Sequence, residues 1–249
     1  MTAMSLHNTS MGKNNNENAF DSKLIAVYTK YGLDTFLDVC SKMLDIKDTS
    51  NVDKKKKSNG EVCEVVLRVL TEHYLKTKGI KGSVHHSMIL NDLSNPRSDF
   101  LTELDFTVLT PYICLSGECK SFAGDLIIAS ECTLTRGELV ADVARQSKLH
   151  GKCLKQYLER YTKANAGLSS PPFGLFCFVY SNGTITDNRT KKAQSTIPVL
   201  TIKTLYSYYD HIFGTYRRNI FEYEKAQAEF KRRTLSAELH EAHKRYLGY

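Results

Sequence analysis

No run of apolar residues in this chain approaches the ~20 needed to cross a bilayer as a helix. The longest, Phe173–Tyr180, is the length of a strand. The first twenty residues, MTAMSLHNTSMGKNNNENAF, contain no apolar stretch of the kind that drives secretion, so no secretory signal is expected. The seven cysteines, Cys40, Cys63, Cys114, Cys119, Cys132, Cys153 and Cys177, form no CxxC pair and are odd in number. That spacing speaks against a zinc knuckle or a disulfide framework. Small core hydrophobes in a reducing cytosol are the expectation. No glycine-rich phosphate loop occurs, which excludes a P-loop nucleotide hydrolase within the chain, and no internal repeat is found. Membrane, collagen-like and wholly disordered readings are excluded.

What is present is a slightly lean globular composition: 249 residues, 41% hydrophobic, formal charge +7. The charge permits a polyanionic partner without requiring one. Residues 1–20 are polar and Asn-rich and read as a disordered tail. Residues 21–59 read as an amphipathic helix, broken near Gly32, followed by a linker with four consecutive lysines, Lys54–Lys57. Residues 60–203 read as the core. A helix is expected over Gly60–Lys76, with a stripe of Val62, Val65, Val66, Val69 and Leu70. Strands are expected at Ser83–Leu90, Thr102–Thr110, Ile113–Phe122 and Leu126–Ala129. A helix over Gly137–Tyr161 follows, with Leu139, Val143, Leu149, Leu154 and Leu158 on or near one side, then strands at Phe173–Tyr180 and Ile197–Ile202. Residues 204–249 read as a helical extension. Mixed strands and helices within one unit imply an α/β fold with a central mixed sheet flanked by helices.

The informative stretch is Glu103 to Lys120. A strand alternates faces, so Glu103 and Asp105 share one face while Leu104 and Phe106 point the other way. Glu118 and Lys120 share a face of the next strand, with Cys119 opposite. A hairpin centred on Pro111-Tyr112 pairs positions that sum to 223. Asp105 then meets Glu118, and Glu103 meets Lys120, with Cβ atoms about 4.5–5.5 Å apart. Two like charges at that separation are destabilising unless compensated, and a hard dication such as Mg²⁺ compensates with carboxylate oxygens and retained water. Lys120 would then manage an attacking water. The same spacing also allows an ordinary Glu103–Lys120 ion pair, with Asp105 and Glu118 facing solvent.

The hydrophobic strand bearing Asp105, followed by Glu118-x-Lys120, resembles the signature of the PD-(D/E)xK nuclease superfamily. Gly60-Glu61 at a helix start, Met88–Asp92 ending a strand, Thr102–Phe106 (TELDF), Gly117–Phe122 (GECKSF) and Arg145-Gln146 in a helix come in order. Together they resemble the nuclease-related domain (NERD) family of that superfamily, over roughly 60–202. The resemblance implies a restriction-endonuclease-like fold and a Mg²⁺- or Mn²⁺-dependent nuclease. Asp105, Glu118, Lys120, Glu61 and Gln146 would be catalytic. Asp105, Glu118, Glu61 and the Cys119 carbonyl would hold the metal, with Glu103 and Glu64 beside them. Leu104 stands where the superfamily's name has proline. The implied partner is nucleic acid, DNA ahead of RNA, gripped by Arg145, Lys148 and Lys152. Lys54–Lys57, Arg189, Lys191-Lys192 and the C-terminal basic groups are further candidates. His85-His86 and His150 read as structural. No membrane contact is expected. A cytoplasmic location and a homodimer through the terminal helices are expected, the latter because cutting both strands of a duplex needs two sites; Phe221, Phe230, Leu235, Leu239 and Tyr246 give the C-terminal helices apolar surface to bury, as a dimer helix or a DNA-gripping arm. The alternative is a catalytically silent binding module on the same fold.

Overall fold

The structure, a computed structural model, describes residues 17–45, 52–95, 100–122, 124–137 and 139–248. Most of the expected tail and residues 46–51 lie outside the described residues. Two helices, α1 (Glu17–Asp45) and α2 (Val52–Thr77), open the chain. Strands β1 (Ser83–Asn91), β2 (Leu101–Leu109) and β3 (Cys114–Phe122) follow. An excursion through β4 (Leu126–Ala129), β5 (Thr133–Thr135) and β6 (Leu139–Asp142) leads into α3 (Val143–Tyr161). The chain continues with β7 (Phe173–Ser181), β8 (Ile185–Asp187), α4 (Lys191–Thr196) and β9 (Val199–Leu200). It closes with α5 (Ile202–Thr215), α6 (Tyr223–Leu235) and α7 (Ala237–Tyr246).

The main sheet is mixed, in the order β1-β2-β3-β7-β9, with β1, β2 and β3 antiparallel and β7 and β9 parallel to β3. A smaller sheet, β6-β5-β4-β8, stands beside it. One face of the main sheet packs on α1, α2 and α5 through Phe36, Leu67, Phe106, Leu115, Phe178 and Tyr209. The other packs on α3 and α6 through Met88, Leu104, Leu154, Tyr157 and Phe230. The stripe Val62, Val65, Val66, Val69 and Leu70 is buried as its helical spacing requires. The α1 helix breaks at Gly32, whose φ of 83 lies in the left-handed region that glycine tolerates without a Cβ clash. All seven cysteines are free and buried.

Four expectations need correction. The lysine run Lys54–Lys57 lies in the first turns of α2, not in a linker, because the helix starts eight residues before Gly60. The helix expected from Gly137 starts at Val143; Leu139–Asp142 is a strand, and Leu149 is 40% exposed, off the buried stripe. The extension expected over 204–249 is helical in its described residues but packs into the fold: Leu205 and Tyr209 join the core on the α2 face, and Phe221, Ala226 and Phe230 the one on the α3 face. Phe221 and Phe230 are therefore spent inside the chain, which removes them as dimer surface, while Leu235 and Tyr246 stay exposed. Among the described residues no helix is long and apolar enough to cross a membrane.

Candidate metal centre

The β2–β3 hairpin forms in the expected register: Phe106 opposite Gly117, Thr107 opposite Ser116, Val108 opposite Leu115 and Leu109 opposite Cys114. The tight Thr110–Ile113 connection enforces it, since the Thr110 hydroxyl donates to the Ile113 carbonyl at 2.8 Å. Gly117 is required here because a Cβ would come within 2.4 Å of the Phe176 ring on the α2 face. The ladder stops at Phe106–Gly117, and from there side chains take over. The Asp105 carboxylate (Oδ2) accepts the Cys119 amide at 3.0 Å. The Lys120 ammonium reaches Asp105 Oδ2 at 3.5 Å and Glu118 Oε2 at 3.1 Å. Asp105, Glu118 and Lys120 are thus brought together, with the Lys120 ammonium touching both carboxylates.

The strand alternation also breaks at Asp105. In the β1–β2 ladder His86 pairs with Phe106 and Met88 with Leu104, which leaves Ser87 and Asp105 between two paired rungs. Ser87 has φ 49, an uncommon conformation for a residue with a Cβ. Phe106 packs on the α2 face, but Leu104 packs on the α3 face, contrary to the expectation that they share one. A strained backbone position of this kind costs on the order of 1–3 kcal/mol and persists only where the surroundings enforce it.

Burial of Asp105, and then the nearby Glu118 charge, pushes its carboxyl up to about 6, against the pull of Lys120 and the Cys119 amide. Burial also pushes Glu118 upward, but the His150 contact and Lys120 outweigh it and hold that carboxyl below its ordinary value. Burial opposes the charge on Lys120, yet Asp105 and Glu118 prevail and raise it. The pair is therefore electrostatically asymmetric: Glu118 is the firm anion, and Asp105 the one that gives up its charge first.

His150, expected from the sequence to be structural, lies against Glu118, a contact the strand pattern alone does not show. It projects from α3 with its Nδ1 against Glu118 Oε1, both side chains almost fully buried. The signal was a histidine on the buried stripe Val143, Ser147, His150, Leu154, Tyr157. Gln146, one turn earlier, is exposed, as is Arg145. Lys148 pairs with Glu131, and Lys152 with Asp92 at 2.6 Å, both lysine side chains being more than half exposed. Glu61 and Glu64 ride on α2. From the same helix Cys63 reaches β3, where its thiol donates to the Lys120 carbonyl at 3.6 Å. Cys119 contributes its amide to Asp105. Glu103 faces His243 of α7 at 3.5 Å, while Lys120 turns to Asp105 and Glu118. Among the described residues no group of three or more His, Cys, Asp or Glu side chains converges to hold an ion. Arg189, a candidate phosphate contact, is buried and bonded internally. His85 is buried, with its Nε2 2.9 Å from the Ser83 hydroxyl, and His86 lies 3.4 Å from Arg68.

No protein-family model, curated protein or solved structure matches the chain.

Proposed function

We propose that the chain is a Mg²⁺- or Mn²⁺-dependent nuclease with a restriction-endonuclease-like core, similar to the nuclease-related domain family, cutting phosphodiester bonds within DNA. The observation that carries the reading is the meeting of Asp105 and Glu118, from adjacent strands, on one lysine ammonium. Two mostly buried carboxylates supply the hard oxygen donors such ions take, with water completing the shell. When bound, the ion would supply Lewis-acid polarisation of a phosphoryl oxygen and a water of lowered pKa. Asp105 and Glu118 would hold it. Lys120, freed from its bridging contacts, would orient the attacking water and balance negative charge building on the phosphate. Arg145, Lys148 and Lys152, exposed on α3, would bind backbone phosphates and set the register of the strand. The location that fits this activity is the cytoplasm.

The test is incubation of supercoiled plasmid with purified protein in Mg²⁺ or Mn²⁺, with and without EDTA. Nicking that EDTA abolishes is expected; its absence at all metal concentrations sinks the reading. A second reading has its own support: Lys120 already bridges both acids without an ion. A catalytically silent nucleic-acid-binding module would retain DNA in a gel-shift assay and never cut it.

A further inference from the structure

Glu118 has two oxygens with two different neighbours. Oε2 receives the Lys120 ammonium at 3.1 Å, and Oε1 meets His150 Nδ1. Glu118 is 3% exposed and His150 7%, so water has little access to the contact. A carboxylate held at one oxygen only still turns about its last side-chain bond, a broad and soft torsion. With Lys120 bonded to Oε2 and the His150 ring packed against Oε1, that turn is restricted from both sides.

The helix that delivers His150 is itself pinned at several points. At its start the Asp142 side chain accepts the Arg145 amide at 3.0 Å, and the Cys132 carbonyl accepts the Val143 and Ala144 amides at 3.1 and 3.2 Å. Two and six residues past His150, Lys152 and Gln156 both donate to Asp92, at 2.6 and 2.8 Å. The Gln156 carbonyl oxygen accepts the Leu93 amide at 2.7 Å, and the Tyr157 hydroxyl donates to Asn91. These tie α3 to the end of β1, which is the sequence Asn91-Asp92. A helix held on both sides of residue 150 cannot shift without breaking a cap or this clamp.

We infer that His150 is a positioning residue: from α3 it holds Oε1 of Glu118, so that Oε2 stays turned toward Asp105 and Lys120 for the dication. The inference rests on the nuclease reading of that site. Groups that orient a metal-binding carboxylate without touching the ion are worth about 10–100-fold in metal affinity or activity. An imidazole that merely fills the core is replaceable by any side chain of similar shape.

The experiment is Mn²⁺ titration of the full-length protein without DNA, read by the loss of free-ion EPR signal. It uses wild type, His150→Ala, His150→Asn, whose amide nitrogen sits where Nδ1 was, and His150→Leu. Mn²⁺ affinity is expected to fall 10–100-fold in His150→Ala and His150→Leu, and to return within about threefold of wild type in His150→Asn. Equal affinity in all four proteins overturns the inference, as does recovery by leucine. A thermodynamic cycle of urea unfolding in EDTA, combining His150→Asn and His150→Leu with Glu118→Gln, reads the contact without metal. Leucine is expected to couple to Glu118 by about threefold or more in the unfolding constant; strict additivity overturns the inference. If wild type binds no Mn²⁺, the nuclease reading fails, and non-additivity in the cycle still sustains His150 as the residue that orients Glu118.

Discussion

Two buried charge clusters in this molecule have opposite designs. Arg189 makes every contact it needs. Its guanidinium donates twice to Asp187, at 2.9 and 2.8 Å, and to the carbonyls of Glu131, Ile197 and Ala193 at 3.0, 2.8 and 3.4 Å. Those acceptors come from β8, the β4–β5 turn, the middle of α4 and the residue that caps its C-terminus, so a single side chain ties the small sheet to the segment entering β9. At the other cluster, Asp105 and Glu118 share one ammonium, the ladder beneath them has stopped, and Ser87 opposite is strained. One arrangement is closed and gains nothing from a ligand. The other has fewer positive than negative charges and a carboxyl raised to about 6 by its surroundings. Incomplete compensation is a mark of sites that bind something, and completeness a mark of those that only hold the fold.

The sharpest way to break that contrast is to remove members of the open cluster. Asp105→Asn and Lys120→Ala are each expected to reduce plasmid nicking by about 10³-fold or more, as removal of a charge-stabilising group does, while circular dichroism and the urea midpoint show a folded protein. Full cleavage by either variant refutes the site. In the closed cluster, Arg189→Met strands Asp187 and three carbonyls. It is expected to cost about 3–5 kcal/mol of stability, the usual loss when one partner of a buried pair is deleted. DNA affinity of the folded fraction should be unchanged in a gel shift. A gel-shift defect without a stability loss would return Arg189 to the list of phosphate contacts.

The register of the open cluster was legible in the sequence because a hairpin this short permits few alternatives: Pro111-Tyr112 fixes which residues of β2 and β3 can face each other. The kink at Gly32 and the buried stripe of α2 were legible for similarly local reasons. The break at Asp105 was not, because it depends on Ser87, a residue of a third strand with no unusual local chemistry. His150 was visible only as a polar residue on an apolar stripe, and which strand that stripe would cover is decided by tertiary packing. Arg189 deceived for the same reason. A basic residue beside Lys191-Lys192 looks like surface, and only the fold supplies the carbonyls that let it be buried.

A smaller effect separates binding from folding at Asp105. Below about pH 6 its carboxyl holds a proton that a metal must displace. Mn²⁺ affinity should therefore rise about tenfold per pH unit up to about 6 and level off above it. EPR titrations at pH 5, 6 and 7 check this; a flat profile removes Asp105 from the ligands.

The smallest effect concerns metal-free stability, and its sign is unusual for a carboxylate. The folded pKa of Asp105 lies above the ordinary value near 3.9, so the folded state binds the proton more tightly than the unfolded chain does. Stability from this group is fully present below about pH 4 and is lost as pH rises to about 6. Glu118, held below its ordinary value, runs the other way and loses its contribution as pH falls. Comparing wild type with Asp105→Asn removes the Glu118 contribution to first order. The amide oxygen still accepts the Cys119 amide and brings no charge. In EDTA the variant should match wild type at pH 4 and exceed it by on the order of 1–2 kcal/mol at pH 7, an upper bound of two pKa units being reduced by the coupling to Lys120. Urea midpoints at pH 4, 5, 6 and 7 measure the difference. A gap that does not widen with pH would mean that Lys120 compensates Asp105 fully, and the open cluster would then be as closed as the one around Arg189.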